Sequence, residues 1–79
     1  MIAIQIYTPS GSLFSGDVDA VFLPGASGPF EVLKDHAPLI SSLVAGEVRY
    51  RIGSAEESIS IKSGFMRHDH NTMVVCVEL

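Results

Sequence analysis

The side chains best suited to chemistry in this sequence are its three histidines, His36, His68 and His70. His68 and His70 are two apart, so on a strand both rings would lie on one face. Zinc needs three or four ligands with supporting groups around them, and here the third ligand would come from a distant loop. Asn71 follows His70, as is typical of a turn. We therefore expect residues 68–71 to form an exposed hairpin turn, and a metal site built from the three histidines is the less favoured alternative.

Nucleophilic catalysis has little support in the sequence. Serines are numerous, but none stands in a Gly-x-Ser-x-Gly arrangement. Cys76 lies among valines, where a thiol behaves as a small hydrophobic side chain. Gly25-Ala26-Ser27-Gly28 lacks the Lys and the following helix that a phosphate-binding loop needs. We expect no catalytic residue, no bound cofactor and no bound metal.

Composition restricts the functional classes further. The chain has 79 residues, a net charge of −4, 47% hydrophobic residues and 18% charged residues, which indicates one globular domain over residues 1–79. Nucleic-acid binding needs clustered Lys and Arg, whereas the five basic residues here are scattered. The acidic balance disfavours adhesion to anionic lipid. We expect neither nucleic-acid binding nor direct lipid insertion.

Targeting signals are absent from the sequence. Cys76 is the only cysteine, so no internal disulfide can form, which fits a reducing compartment. No segment approaches the ~18 consecutive apolar residues of a spanning helix. The N-terminal segment lacks the basic start and the cleavage site of a signal peptide. These features predict a cytoplasmic protein.

Hydrophobic alternation predicts strands throughout the chain. Apolar residues recur with a two-residue period in segments 2–6, 48–52 and 59–61, and no segment has a convincing 3.6-residue period. Turn signals recur about every eight to twelve residues, which favours a small antiparallel sandwich or barrel. Ser15-Gly16-Asp17 is expected to break the second strand.

The stretch from Leu23 to Leu43 is rich in Gly and Pro. Pro38 pushes Ala37 out of the helical region, so we expect an irregular loop followed by a strand. His36-Ala37-Pro38-Leu39 has two interpretations, a rigid turn in which His36 bonds to nearby backbone, or a recognition loop. The residues alone favour the rigid turn.

Two segments are apolar on both of their faces, Met73 to Val77 and Val21-Phe22-Leu23. One face of each strand in a two-layer sandwich meets the core, and the other face normally meets water. The second apolar face of each segment therefore also needs to be covered, either by another part of the same domain or by a partner.

Several motifs together resemble a known family. They are Leu23-Pro24-Gly25, the Gly-x-Phe-x-Val-Leu of residues 28–33 and His36-Ala37-Pro38-Leu39, with Leu13-Phe14-Ser15-Gly16 upstream and Ser63-Gly64-Phe65 downstream. In this order they resemble the epsilon subunit of bacterial F-type ATP synthase, called delta in mitochondria. The resemblance covers essentially the whole chain. It implies an all-β fold, a small flattened antiparallel β-sandwich of about ten short strands.

The resemblance also implies a function. The chain would be a non-catalytic central-stalk subunit at the cytoplasmic face of the inner (plasma) membrane, beside subunit gamma and against the polar loops of the c-ring. There it would couple ion-driven ring rotation to ATP synthesis. Family positions assign the ring contact to a loop formed by Gly28, Pro29, Phe30 and Glu31, and the gamma-facing side to Thr8, His36 and Ser41. Phe30, Val32, Leu39 and Leu43 are expected in or near the core.

The sequence departs from the family pattern in three places. Glu31 replaces a common Gly, and Lys34-Asp35 replaces a common Pro-Gly, so the local backbone is expected to differ. Family members usually continue into a two-helix C-terminal domain. This chain ends at Leu79, so we expect no C-terminal helical hairpin and no nucleotide binding. The alternative function is a free-standing β-sandwich module that binds a peptide or small ligand.

Overall fold

Short strands that end at turns make up the whole chain. The computed structural model describes all residues from Met1 to Leu79. Its nine strands are β1 (Ile2–Thr8), β2 (Gly11–Val18), β3 (Ala20–Gly25), β4 (Gly28–Leu33), β5 (Leu39–Leu43), β6 (Gly46–Ile52), β7 (Ala55–Ile61), β8 (Ser63–Asp69) and β9 (Thr72–Glu78). The predicted all-β class is confirmed, with nine strands in place of about ten. None of the chain forms a helix long and apolar enough to cross a membrane.

The strands form one curled sheet that folds into two layers. The order is β2-β1-β9-β8-β5-β3-β6-β7, with β4 paired to β3. The sheet bends between β5 and β3, where Gly25 opposite Leu43 is the only pair. The first layer is therefore β2-β1-β9-β8-β5, and the second layer is β4-β3-β6-β7. One pair, β1 with β9, is parallel, which the expected antiparallel sandwich did not include.

The core lies between the two layers and contains a cluster of 15 buried residues. Alternation places Ile2, Ile4 and Ile6 of β1 inward, as predicted. Full burial of one such side chain contributes about 1.5–3 kcal/mol. Val32 and Leu43 also belong to this cluster, and the half-buried Phe30 and Leu39 pack against it. The four predicted core positions are therefore confirmed.

A bulge in the β1–β2 pair gives one core aromatic residue its position. Ile6 lies opposite Phe14 and Tyr7 lies opposite Ser12, so Leu13 is the extra residue. Phe14 then stacks on Tyr50 of β6, with ring centroids 4.4 Å apart. The predicted break at Ser15-Gly16-Asp17 is wrong, because β2 continues to Val18. The Phe14 ring lies so close to Gly16 that an added Cβ would be 3.0 Å from it. A larger residue at position 16 would crowd this ring, so glycine fits the strand here.

The Gly- and Pro-rich stretch is more regular than predicted. Residues 25–28 form a tight turn between β3 and β4, and the irregular loop is confined to residues 34–38. Gly28 has a φ of +129°, which favours glycine. At Gly25 a Cβ would lie 2.7 Å from both the Gly28 carbonyl oxygen and the Phe30 ring. Glycine therefore permits the close packing that closes the β3–β4 hairpin.

Candidate functional site

The segment assigned to the c-ring contact is the first four residues of a six-residue strand and not the predicted loop. Gly28, Pro29, Phe30 and Glu31 open β4, which pairs only with β3. Glu31 lies in regular register opposite Phe22 and has no positive φ. The replacement of glycine by Glu31 therefore leaves an ordinary strand backbone, contrary to the expected distortion. Phe30 turns toward the core, while Pro29 and Glu31 belong to the outer face.

An open groove crosses the outer face of the second layer. We call it the acidic groove; its volume is about 490 Å³, and its lining includes Phe22, Pro24, Pro29, Glu31, Glu47 and Arg49. Arg49 lies 3.3 Å from Glu56, and its guanidinium is 4.9 Å from the centre of the Phe22 ring. Sequence reasoning missed this groove, because strand pairing assembles it from distant positions.

The loop that carries His36 is fixed to the β8–β9 turn by two side chains. The Asp35 amide donates to Asn71 Oδ1 at 2.7 Å, and Asn71 Nδ2 donates to Asp35 Oδ1 at 2.9 Å. Both residues have positive φ, 66° for Asp35 and 56° for Asn71. Asp and Asn tolerate this conformation better than most residues. Asp35 can therefore occupy the position where the family commonly has glycine.

The local geometry of His36 is that of the rigid turn, the first of the two interpretations given for this segment. Its Nδ1 lies 2.8 Å from the Ala37 carbonyl oxygen, while the residue itself is exposed. The expected bond to nearby backbone is therefore confirmed. Since an exposed, locally fixed side chain can still meet a partner, the gamma-facing assignment of His36 stays a prediction.

The other two histidines occupy different environments. The predicted exposed turn is wrong for His68, which is only 1% exposed and lies in β8. Alternation along β8 faces it inward with Met66. Neither of its ring nitrogens has a hydrogen-bond partner, and its ring meets that of His36 edge-on at 5.9 Å. His70 is in the turn, with a side chain 91% exposed and Nδ1 2.7 Å from Asp69 Oδ1.

No group of three His, Cys, Asp or Glu side chains is placed to hold a metal ion.

The three residues assigned to the gamma-facing side do not form a cluster. Thr8 ends β1, where its hydroxyl donates to the Gly11 carbonyl at 3.2 Å and accepts from the Ser10 amide at 3.1 Å. Ser41 lies in β5, three strands away across the first layer. At about 4.8 Å per strand the separation is about 14 Å. Any single partner that meets Thr8, His36 and Ser41 must therefore span much of this layer.

An apolar patch covers part of the outer face of the first layer. We call it the outer patch; it consists of Ile40, Phe65, Val74 and Cys76. Ile40 is 75% exposed and Phe65 is 55% exposed, while Val74 and Cys76 are half-buried. Phe65 lies opposite Cys76, and Arg67 lies between Ile40 and Val74. The patch therefore extends over three adjacent strands.

The two segments that are apolar on both faces are covered differently. In β3, Phe22 is half-buried because Arg49 of the neighbouring strand packs over its ring. In β9, Met73, Val75 and Val77 enter the core, but Val74 and Cys76 open onto the outer patch. The outer face of β3 is therefore covered from within the domain, whereas the outer face of β9 is covered only partly.

These features define a class of protein, a small two-layer β-sandwich domain with an apolar outer surface suited to contacts with other chains. The ATP synthase delta/epsilon chain β-sandwich domain family matches residues 1–79, and this chain belongs to that family. The resemblance predicted from the motifs is therefore confirmed. Epsilon chains are subunits of ATP synthase and are not its catalytic chains, which agrees with the predicted absence of enzymatic activity.

Similar proteins include the ATP synthase epsilon chain of Chlorobium limicola, which is 37% identical over 76 residues. That alignment covers 95% of this chain and 86% of the relative. The epsilon chain of Dehalococcoides mccartyi strain CBDB1 is 36% identical over 77 residues, covering 98% of this chain and 55% of the relative. The chain thus spans most of the first relative and about half of the second.

Solved structures of two mitochondrial enzymes contain the same fold. One describes the central stalk and c-ring of the Tetrahymena thermophila ATP synthase, with a TM-score of 0.83 at 12% identity, covering 99% of this chain and 63% of that chain. Another describes OSCP, F1 and the c-ring of the Euglena gracilis ATP synthase, with a TM-score of 0.89 at 18% identity, covering 96% and 49%. At these identities the similarity establishes the fold.

Proposed function

We propose that this chain is a non-catalytic central-stalk subunit of an F-type ATP synthase. In this role it binds subunit gamma on one surface and the polar loops of the c-ring on another. It thereby couples ion-driven rotation of the ring to ATP synthesis. Family membership and epsilon-chain relatives support the proposal. The fold shared with a chain of the Tetrahymena central stalk and c-ring structure is consistent with it.

The observation that carries the proposal is the outer patch. Several apolar side chains exposed on one face are costly in water, even with Arg67 between Ile40 and Val74, and they mark a surface suited to cover by another protein. We assign this cover to gamma, because the patch includes Ile40 of β5, the strand that also carries the gamma-facing Ser41, although alternation points these two side chains to opposite faces of the strand. Thr8 and His36 lie toward the two ends of the same layer, Thr8 at the end of β1 and His36 in the loop that precedes β5.

The ring contact is assigned to the opposite layer, at Gly28, Pro29, Phe30 and Glu31. A subunit that transmits torque between two surfaces must be stiff. Of 50 backbone hydrogen bonds in the chain, 44 lie within the strands. Strand pairing therefore restrains most of the backbone. Contacts with the ring and with gamma would hold the subunit as a peripheral protein at the cytoplasmic face of the inner (plasma) membrane.

Affinity purification from native membranes tests this proposal. The tagged chain is expected to recover gamma and the ring subunits together after mild detergent extraction. A tag on an unrelated β-sandwich domain of similar size and charge is the control. Recovery of unrelated soluble proteins without gamma would contradict the proposal and support the free-standing peptide- or ligand-binding module.

A further inference from the structure

We propose that His68 is an acid sensor, and that its protonation displaces the His36 loop (residues 34–38) and brings the buried ring into water. The loop connects β4 to β5, and its five residues are exposed and lie outside the strands. Such a segment opens at a lower free-energy cost than the paired strands around it. The opening is a property of the isolated chain and does not depend on the assigned partners.

The ring of His68 has no polar partner inside the fold. It is 1% exposed, and neither ring nitrogen takes part in a hydrogen bond. The residues opposite it on the two neighbouring strands are Leu39 of β5 and Met73 of β9, and both are apolar. A proton added to this ring creates a buried charge without a partner, which is strongly unfavourable.

The charged groups on the strands around His68 do not compensate such a charge. Arg67 and Asp69 are its neighbours along β8, and alternation points both of them to the opposite, exposed face. Tyr50 is the only titratable residue of the buried core cluster, and a phenol is uncharged in the acidic range. Within the sandwich, therefore, nothing stabilises a protonated His68.

The His36 loop lies between this ring and water. The His36 ring meets the His68 ring edge-on with their centroids 5.9 Å apart, and His36 itself is exposed. Of the other charged residues of the loop, Lys34 is exposed and cationic, and the Asp35 carboxylate already accepts from Asn71 Nδ2 at 2.9 Å. Two protonated imidazoles at this separation repel each other. Displacement of the loop relieves this repulsion and hydrates the His68 ring.

Proton linkage gives the direction of the pH dependence. Burial disfavours the charged ring in the closed form, whereas a histidine ring in water takes up a proton below about pH 6.5. The open form therefore binds more protons, and its population rises as the pH falls. Between pH 7.0 and 5.5 the ratio of open to closed chains is expected to rise by up to about eightfold.

Amide hydrogen exchange in the isolated full chain tests the proposal. Two amides report on closure of the loop, since the Asp35 amide donates to Asn71 Oδ1 at 2.7 Å and the His36 amide donates to the Leu33 carbonyl oxygen at 3.1 Å. Each exchange rate, measured by NMR, is compared with the intrinsic rate at the same pH. The protection of both amides is expected to fall by up to about eightfold between pH 7.0 and 5.5.

Two variants identify the titrating group. His68→Leu removes it and is expected to keep the protection of the loop amides constant over this range. The matched control is His70→Leu, which removes a histidine whose side chain is 91% exposed and is expected to retain the full fall. Equal protection of the unaltered chain at both pH values, or the same fall in His68→Leu, would overturn the proposal.

The ring protons of His68 give a second readout that needs no substitution. Their NMR signals in the unaltered chain are expected to move from buried to exposed positions with the same midpoint as the loss of loop protection. Ring signals that remain in their buried positions down to pH 5, in a chain that is still folded, would overturn the proposal.

The opening has one consequence for assembly, which rests on the proposed function because His36 is assigned to the gamma-facing side. Binding to purified gamma is expected to weaken between pH 7.0 and 5.5 by a larger factor for the unaltered chain than for His68→Leu. Equal factors would overturn this consequence, while the exchange measurements decide the opening itself. Failure of the unaltered chain to bind gamma at pH 7.0 would instead overturn the proposed function.

Discussion

At the residue scale, Tyr50 makes stability depend on alkaline pH. Burial raises the pKa of its phenol above the ordinary value of 10.0, and the nearby Glu57 carboxylate raises it further. The folded chain therefore holds this proton more tightly than the unfolded chain does. The contribution of Tyr50 is fully present below pH 10, and it is lost as the pH rises through the higher pKa of the folded state.

We predict that Tyr50→Phe flattens this alkaline loss. The Phe ring keeps the 4.4 Å stack on Phe14, so the free energy of unfolding near pH 7 should change by less than about 1 kcal/mol. Urea unfolding between pH 8 and 11 measures the effect. Tyr7→Phe is the matched control, and it should keep the decline of the unaltered chain because Tyr50 is still present. An equal alkaline decline in Tyr50→Phe would contradict the assignment.

His68 is a second residue whose burial has a measurable effect, here a reduction of the free energy of unfolding. Both of its ring nitrogens are buried without a hydrogen-bond partner, and an unpaired buried polar group costs about 1–3 kcal/mol. We predict that His68→Leu raises the free energy of unfolding by about 1 kcal/mol at pH 7. Chemical denaturation measures this change, with the exposed His70→Leu as control. Destabilisation by His68→Leu would mean that the imidazole makes interactions that its buried position conceals.

The histidines also show which positions could be predicted from the sequence and which could not. His70 and Asn71 look like a turn and form one. His68 stands only two residues earlier, but it belongs to the preceding strand, and the alternation of β8 faces it inward. A single residue of strand length decides between exposure and burial, because neighbouring side chains point to opposite faces. Composition alone cannot fix that boundary.

At the element scale, the Asp35–Asn71 pair joins the β4–β5 loop to the β8–β9 turn. Asn71 also accepts the Ala3 amide through its carbonyl oxygen at 2.9 Å, which ties β1 to the same point. We predict that Asn71→Ala lowers the free energy of unfolding by about 2 kcal/mol, since it removes both side-chain bonds and disfavours positive φ.

Asn71→Gly separates the two effects. Glycine adopts the φ of 56° without strain but makes no side-chain bonds. It should therefore cost less than Asn71→Ala while still increasing hydrogen exchange at the Asp35 amide, which loses its acceptor. Exchange measured by NMR on both variants tests this. Unchanged protection of the Asp35 amide in Asn71→Gly would contradict the assigned role of the side chain.

Strands were predictable where one face is apolar and the other polar. β1 and β6 follow their alternation closely, burying Ile2, Ile4 and Ile6 in one and Val48 and Tyr50 in the other. Prediction failed where Gly16 was interpreted as part of a break. Gly16 lies within β2, packed against the Phe14 ring. Tertiary packing overrides local preference at this position.

At the scale of the whole molecule, topology determines which residues become neighbours. The acidic groove brings together residues from β3, β4 and β6, and the outer patch brings together residues from β5, β8 and β9. The motifs of the family predicted β4 as a contact segment. They did not predict its partners in the groove, because Glu31 and Glu47 line the same groove only through the pairing of β3 with β4 and with β6. Register between strands distant in sequence is not encoded by any local pattern.

The outer patch leads to a prediction about assembly. Ile40 and Phe65 are the two most exposed of its side chains, so together they lose the most surface to a covering partner. We predict that Ile40→Thr with Phe65→Thr weakens binding to gamma by about 2 kcal/mol, close to thirtyfold in affinity. Stability of the isolated chain should change by less than about 1 kcal/mol, because neither side chain enters the core.

The matched control is Leu33→Thr with Ile52→Thr, which changes two exposed apolar residues of the second layer. Calorimetric titration of purified gamma with each variant measures the affinity. Because burial of apolar surface gives a negative heat-capacity change on binding, the outer-patch variant should also show a smaller change than the control. Equal affinity and equal heat-capacity change for both variants would mean that gamma covers some other surface of the sandwich, and that the apolar outer face of β9 serves a different contact.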